Sequence, residues 1–173
     1  MLIYLIGYMG SGKSSIGPRL ARGLGYEFVD IDLTIEEKYK LSIRDFFQKY
    51  GEDRFRFVEH QTLIDSFKLE NHIIATGGGT PCYFNNMELI KKYGLSVYLQ
   101  LSIDALYDRL WQSRKPRPLV KDIEPVALRK QIADHLAIRE KYYKMADLIV
   151  DANRPDTSYL VNILKHSITD SSV

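Results

Sequence analysis

Lys13 and Ser14 end a glycine-rich run, GYMGSGKS at residues 7–14, with the spacing G-x-x-x-x-G-K-[ST]. Residues of these types at this spacing bind phosphate. Glycines let successive backbone N–H groups turn inward onto an anion, and a helix that starts where the loop ends adds unpaired donors and the positive end of its dipole. Lys13 then reaches the β- and γ-phosphates of a nucleotide, and Ser14 holds Mg²⁺. Asp30 and Asp32 are the next candidates. They stand two apart in a short run, YEFVDID, that reads as a strand, so both side chains fall on one face. Two carboxylates at the carboxyl end of a buried strand are costly without cations or hydrogen bonds. Beside a phosphate loop they point to function, whereas capping of the next helix would account for Asp32 alone. Arg56 and Glu59 are three apart in a helical stretch and can touch. Gly77, Gly78 and Gly79 mark a backbone that something approaches closely. The segment at residues 113–122, SRKPRPLVKD, has two prolines that forbid a regular helix and four cations, and long loops of this kind are often lids.

The elements that must position these residues alternate in type. Five apolar residues, Leu2–Ile6, read as a buried strand before the phosphate loop. Residues 15–24 carry Ile16, Leu20 and Leu24 on one helical face, and Gly23 and Gly25 stop that helix. Residues 26–32 are the second strand and 33–39 a short helix. Ser42 and Asp45 have the spacing of a capping box for a helix that runs to Tyr50, where Gly51 ends it. A further helix spans 52–69 with Phe55, Val58, Thr62, Leu63 and Phe67 as its apolar stripe. Strands at 72–76, 96–101 and 147–150 alternate with helices at 85–93, 102–111, 125–146 and 157–166. Such alternation predicts a parallel α/β sheet.

Composition narrows the function classes. At 173 residues and 45% hydrophobic content the chain is long enough for one domain with a full core. A formal net charge of +2 gives no reason to expect nucleic acid or a membrane as partner. One cysteine, Cys82, excludes an internal disulfide and a multi-cysteine metal site. His60, His72, His135 and His166 have no metal-ligand spacing, and Trp111 and the tyrosines read as packing. The apolar start lacks a basic flank and a cleavage site, so a cytoplasmic protein is expected.

The motifs stand in an order that resembles shikimate kinase: residues 7–15, FVDID at 28–32, GEDRFRFVE at 51–59, TGGG at 76–79, RPL at 117–119, Arg139, and Asn153 with Arg154. The resemblance covers almost the whole chain, from Leu2 to about His166. It implies a P-loop kinase fold, a three-layer αβα sandwich around a five-stranded parallel sheet of order 2-3-1-4-5, with a mobile lid. It implies a single kinase domain over residues 1–168, with substrate-binding helices at about 33–69, the lid at about 112–124, and a tail at 169–173. The activity implied is Mg²⁺-dependent transfer of the ATP γ-phosphate to the 3-hydroxyl of shikimate, in aromatic amino-acid biosynthesis. Residue by residue, the resemblance assigns ATP to Gly10, Ser11, Gly12, Lys13, Ser14, Ser15 and Arg117. Arg109 matches an arginine that packs on adenine, and Arg154 is a second candidate for that pocket. It assigns Mg²⁺ to Ser14 and Asp30. Substrate hydroxyls fall to Asp32, the substrate carboxylate to Arg56 and Arg139, and a backbone contact to Gly78, while Phe47 and Phe55 form the pocket walls. Lys13, Asp32 and Arg117 carry catalysis. The lid motif reads R-P-L-V where the family has R-P-L-L or R-P-L-A, a departure that touches no catalytic residue. The partners implied are shikimate and ATP, with no nucleic acid and no membrane, for a monomer.

The nearest rival is another small-molecule kinase of the same fold, acting on gluconate or a nucleoside monophosphate. Gluconate is also a carboxylate, so Arg56 and Arg139 alone do not exclude it; the G-E-x-x-F-R and T-G-G-G pair favours shikimate. A nucleotide-binding regulatory domain would not need Lys13, Asp30, Asp32, Arg56, Arg117 and Arg139 together. An RNA-binding module would rest on the lid charges alone.

Overall fold

Parallel strands need a crossover between each pair, and here every crossover contains at least one helix. The computed structural model describes residues 1–113, 125–153 and 156–170. In chain order the elements are β1 (Leu2–Ile6), α1 (Lys13–Leu24), β2 (Glu27–Asp30), α2 (Ile31–Tyr39), α3 (Ile43–Ser66), β3 (His72–Ala75), a 3₁₀ turn (Thr80–Cys82), α4 (Asn86–Tyr93), β4 (Leu95–Gln100), α5 (Ile103–Gln112), α6 (Pro125–Tyr143), β5 (Leu148–Asp151) and α7 (Thr157–Asp170). The sheet has five parallel strands in the order β2-β3-β1-β4-β5, as the resemblance implies. The lid at about 112–124 lies outside the described residues beyond Ser113.

Burial follows position in the sheet. β1 is central and every one of its residues is buried, which is why it reads as an unbroken apolar run. β5, at an edge, alternates between half-buried and exposed. Helix α1 packs on β1, β2 and β3 and against α7, while α4 packs on β4 and α5 against α6. This makes the three layers.

Local signals set the boundaries. Gly25 ends α1 in a left-handed conformation, and its N–H bonds back to the last turn. Ser42 caps α3 by accepting the Asp45 N–H, while the Asp45 carboxylate accepts the Ser42 hydroxyl, so only the serine half of the capping box forms. Gly51 has φ 80° and ψ 169° and breaks α3 into the two helical pieces that the sequence predicts. One boundary differs. The second strand stops at Asp30, and the chain turns directly into helix at Ile31. Asp30 and Asp32 therefore do not share a strand face. Asp30 is the N-cap of α2, its carboxylate accepting the N–H groups of Asp32 and Leu33, while Asp32 sits in the first turn. The expectation that both carboxylates share one strand face is corrected, and the capping weighed for Asp32 falls to Asp30.

Because all five strands run the same way, their carboxyl ends line one rim. The loop after β1, the start of α2 and the glycine run after β3 all open there, where such sheets gather their ligand-binding groups.

Candidate active site

The phosphate loop leaves β1 at Gly7 and enters α1 at Lys13. Gly12, the residue before α1, holds φ 103°, which a side chain would strain, and no side chain caps the helix. The Ser15 N–H bonds to the Gly12 carbonyl at 3.0 Å, which leaves the first-turn N–H groups of Lys13 and Ser14 to an anion. They open on a cleft of ≈340 Å³ whose walls include Gly10, Gly12, Lys13, Ser14, Ser15, Asp30, Asp32, Gly78 and Arg109.

Lys13 is buried, and its ammonium donates to the carbonyls of Gly7 at 2.7 Å and Tyr8 at 3.0 Å. Burial lowers its pKa to about 8, against the opposing pull of Asp32 and Asp30. Ser14 donates its hydroxyl to Asp30 Oδ2 at 2.6 Å, which places both oxygens expected at Mg²⁺ side by side. Among the described residues two buried side-chain oxygens have no hydrogen-bond partner, Ser11 Oγ and Asp32 Oδ1. Leaving such atoms unpaired costs about 1–3 kcal/mol each, and of the two residues only Asp32 lines the cleft. The Asp32 carboxyl is pushed up to about 7, first by burial, then by the charges of Glu59 and Asp30, with Lys13 opposing.

The glycine run after β3 makes room for these side chains. A Cβ on Gly77 would come within 2.9 Å of Asp32 Oδ1, and one on Gly79 within 2.6 Å of Arg56 Nη1. What approaches this backbone is the protein's own charged cluster. Glu59 is buried at its centre, accepting the Thr80 hydroxyl at 2.5 Å and Arg56 Nη1 at 2.9 Å. The far edge of Arg56, Nε and Nη2, donates to Glu52 Oε1 at 3.1 and 3.0 Å. Its guanidinium lies 4.1 Å from the Tyr83 ring centroid, 5.2 Å from Phe55 and 5.6 Å from Phe47. Phe47 and Phe55 face each other at 4.5 Å, so the two predicted wall residues do flank the arginine. Burial works against the Arg56 charge, and Glu59 and Glu52 more than restore it.

Helix α6 brings Arg139 to the same place. Its guanidinium lies 5.6 Å from the Tyr8 ring, and its field, like that of Arg56, acts on Glu52 and Cys82. Two bonds fix that helix to the site: Tyr8 Oη to His135 Nδ1 at 2.8 Å, and the Tyr143 hydroxyl to the carbonyl of Gly78. Arg109 donates to the carbonyls of Ser11 at 3.2 Å and Ala152 at 2.8 Å, joining the phosphate loop to the end of β5. Arg117 and Arg154 lie outside the described residues.

Sequence reasoning missed Glu52, Tyr83, Tyr8, His135 and Tyr143 as parts of this site. Glu52 was findable, since it precedes Arg56 by four residues on a helix. The tyrosines read as packing in the sequence, yet Tyr8, Tyr83 and Tyr143 each use the hydroxyl here. Burial pushes the Cys82 thiol up to about 11, away from the thiolate form that reacts.

A phosphate loop at the carboxyl rim of a parallel sheet in this order, facing a pocket with two arginines, defines an ATP-dependent kinase of small molecules. The chain belongs to the shikimate kinase family, whose model matches residues 9–168. It is 43% identical over 148 residues to the shikimate kinase of Azobacteroides pseudotrichonymphae, covering 85% of this chain and 87% of that one. It is 36% identical over 166 residues to that of Parabacteroides distasonis, covering 96% of each. Among solved structures, the shikimate kinase of Bacteroides thetaiotaomicron superposes with a TM-score of 0.90 at 34% identity over 98% of both chains. The Acinetobacter baumannii shikimate kinase in complex with shikimate gives 0.85 at 32% identity, covering 99% of this chain and 94% of that one. A gluconokinase from Sinorhizobium meliloti, at 17% identity and TM-score 0.60, shares the fold alone.

Proposed function

We propose that this protein transfers the γ-phosphoryl group of ATP to the 3-hydroxyl of shikimate, with the residues gathered at the rim in the roles the sequence assigns. The observation that carries the reading is the juxtaposition of two unlike halves. One is a cleft built for phosphate, with Lys13, Ser14 and an uncapped helix start. The other is an aromatic-walled pair of arginines, Arg56 and Arg139, suited to a carboxylate. Between them the Asp32 carboxylate lines the cleft.

Phosphoryl transfer depends on positioning and on neutralising charge. Lys13 would leave the loop carbonyls for the phosphates, which are stronger acceptors. The Asp32 carboxylate, which lines the cleft, would accept the hydroxyl proton, and a pKa of about 7 suits a group that must be ionised before transfer and protonated after it. Arg56 and Arg139 would hold the carboxylate, with Gly78 lending backbone and Phe47 and Phe55 the walls. Arg109, lining the cleft, would pack on adenine. Arg117 and Arg154, outside the described residues, keep their phosphate and adenine roles on sequence grounds.

The donor set fits Mg²⁺. Among the described residues no group of three or more His, Cys, Asp or Glu side chains could cage a metal. Mg²⁺ takes few protein ligands and completes its shell with phosphate and water, so Ser14 and Asp30 suffice. When bound, held by Ser14 and Asp30, it would supply positive charge against that of the phosphates. No helix among the described residues is long and apolar enough to cross a membrane. The reading includes a cytoplasmic monomer.

The test is a coupled ADP-release assay against shikimate, gluconate and nucleoside monophosphates. ADP release with shikimate alone is expected. Turnover of gluconate or a nucleoside monophosphate in its place would overturn the substrate assignment.

A further inference from the structure

Arg56 meets two carboxylates, and they are held in different ways. Glu59 is buried at 1% side-chain exposure and is fixed from its other side by Thr80. Glu52 has 52% of its side chain exposed. Its Oε1 alone accepts all three bonds that hold it, from Arg56 Nε at 3.1 Å, Arg56 Nη2 at 3.0 Å and the Tyr83 hydroxyl at 2.9 Å. The Nε/Nη2 edge is one that a carboxylate grips side-on with two oxygens, and two parallel bonds are stronger than two converging on one atom. Glu52 thus takes that edge in the weaker way, from a half-exposed side chain, within the field of Arg139.

We propose that Glu52 is a built-in stand-in for the substrate carboxylate: it occupies Arg56 in the empty protein and must be displaced when substrate binds. This rests on the assignment of Arg56 to the substrate carboxylate. The consequence is a threshold. A ligand whose carboxylate is its only contact gains little by exchanging with Glu52, because one ion pair replaces another. A ligand that also engages Asp32 and the aromatic walls gains enough to complete the exchange. The Tyr83 hydroxyl meanwhile favours the carboxyl in its charged form. Glu52 is therefore a residue that sets affinity and selectivity, and it is not a catalytic residue.

The experiment compares wild type with Glu52→Gln, which keeps the shape and removes the charge, and with Tyr83→Phe, which loosens Glu52 and keeps its charge. Calorimetric titration with shikimate, without ATP, should give a Kd about two- to fivefold lower for Glu52→Gln, the worth of a part-exposed ion pair. A smaller shift in the same direction is expected for Tyr83→Phe. In turnover the change should fall on the KM for shikimate more than on kcat, with the KM for ATP steady. Unchanged or weaker binding by a Glu52→Gln protein with wild-type Tm would overturn the proposal and make Glu52 a fixed buttress of Arg56. A second readout is independent of the substrate assignment. The Arg56 Nε–H resonance should respond to added acetate in Glu52→Gln and stay unmoved in wild type. An equal response in both proteins would overturn the stand-in role. Wild type that neither binds nor phosphorylates shikimate would defeat the functional reading alone, leaving the acetate result to decide on Glu52.

Discussion

Lys13 and Asp32 are set against each other by the same burial. It lowers the lysine to about 8 and raises the aspartate to about 7, so both hold working charge over a narrow span. Below about 7 Asp32 is protonated and cannot accept the hydroxyl proton. Above about 8 Lys13 loses its charge. The expected profile of kcat/KM for ATP is a bell with its maximum between these values. In the nucleotide complex the phosphates favour the charged lysine, so the alkaline limb of kcat should lie higher than that of kcat/KM. A flat profile from pH 6 to 9 would contradict the assignment of both groups. Lys13→Met should lower turnover by roughly two to four orders of magnitude in a folded protein, since its charge acts mainly on the transition state. Asp32→Asn should abolish turnover yet raise stability. The folded-state pKa of Asp32 lies above that of an unfolded aspartate, so its ionisation opposes folding increasingly as pH rises from about 4 to about 7. Relief on the order of 2–4 kcal/mol is expected at pH 8, with less at pH 5, read as a gain in Tm. A Tm that falls would show that Asp32 supports the fold.

Asp30 shows how an element boundary carries function. It ends β2, caps α2 and holds Ser14. Ser42, the cap of α3, has no such second duty toward the cleft. Replacing either with Ala should cost about 0.5–2 kcal/mol of stability. Only Asp30→Ala should also damage turnover, and added Mg²⁺ should restore part of it. Equal activity in the two variants would separate Asp30 from the metal. This junction was also the least legible part of the sequence. Val29 and Ile31, two apart, carry the apolar alternation past the true end of the strand, and periodicity cannot see a cap formed by the strand's own last residue. The phosphate loop was legible because glycine spacing fixes it locally. The Glu59 cluster was not, because Gly77, Gly79 and Thr80 lie about twenty residues further along the chain. Only the pairing of β3 with β1 and β2 brings them over Arg56 and Asp32.

At the scale of the molecule, the parallel sheet and most helix positions were readable from the alternation of elements, whereas the sheet order came only with the family resemblance. What the sequence did not convey is how far the site is part of the fold. Lys13, Asp32, Arg56, Gly78 and Arg139 come from five segments, joined by Tyr8 to His135, Tyr143 to Gly78 and Arg109 to Ala152. A ligand that touches both halves of the site therefore braces the parts of the molecule against one another, and binding to the folded state alone must raise its stability. With shikimate at about one hundred times its Kd, the gain should be about 2.7 kcal/mol. For a chain of 173 residues that is a rise in Tm of roughly 5–10 °C. Gluconate at the same concentration should leave Tm near its unliganded value, because a carboxylate without the rest of shikimate must displace Glu52 with little else to gain. Arg139→Ala should remove most of the shikimate effect and spare the rise produced by ATP with Mg²⁺. If shikimate and gluconate raise Tm equally, the pocket reads only a carboxylate, and the discrimination ascribed to the arginine pair and its aromatic walls is wrong.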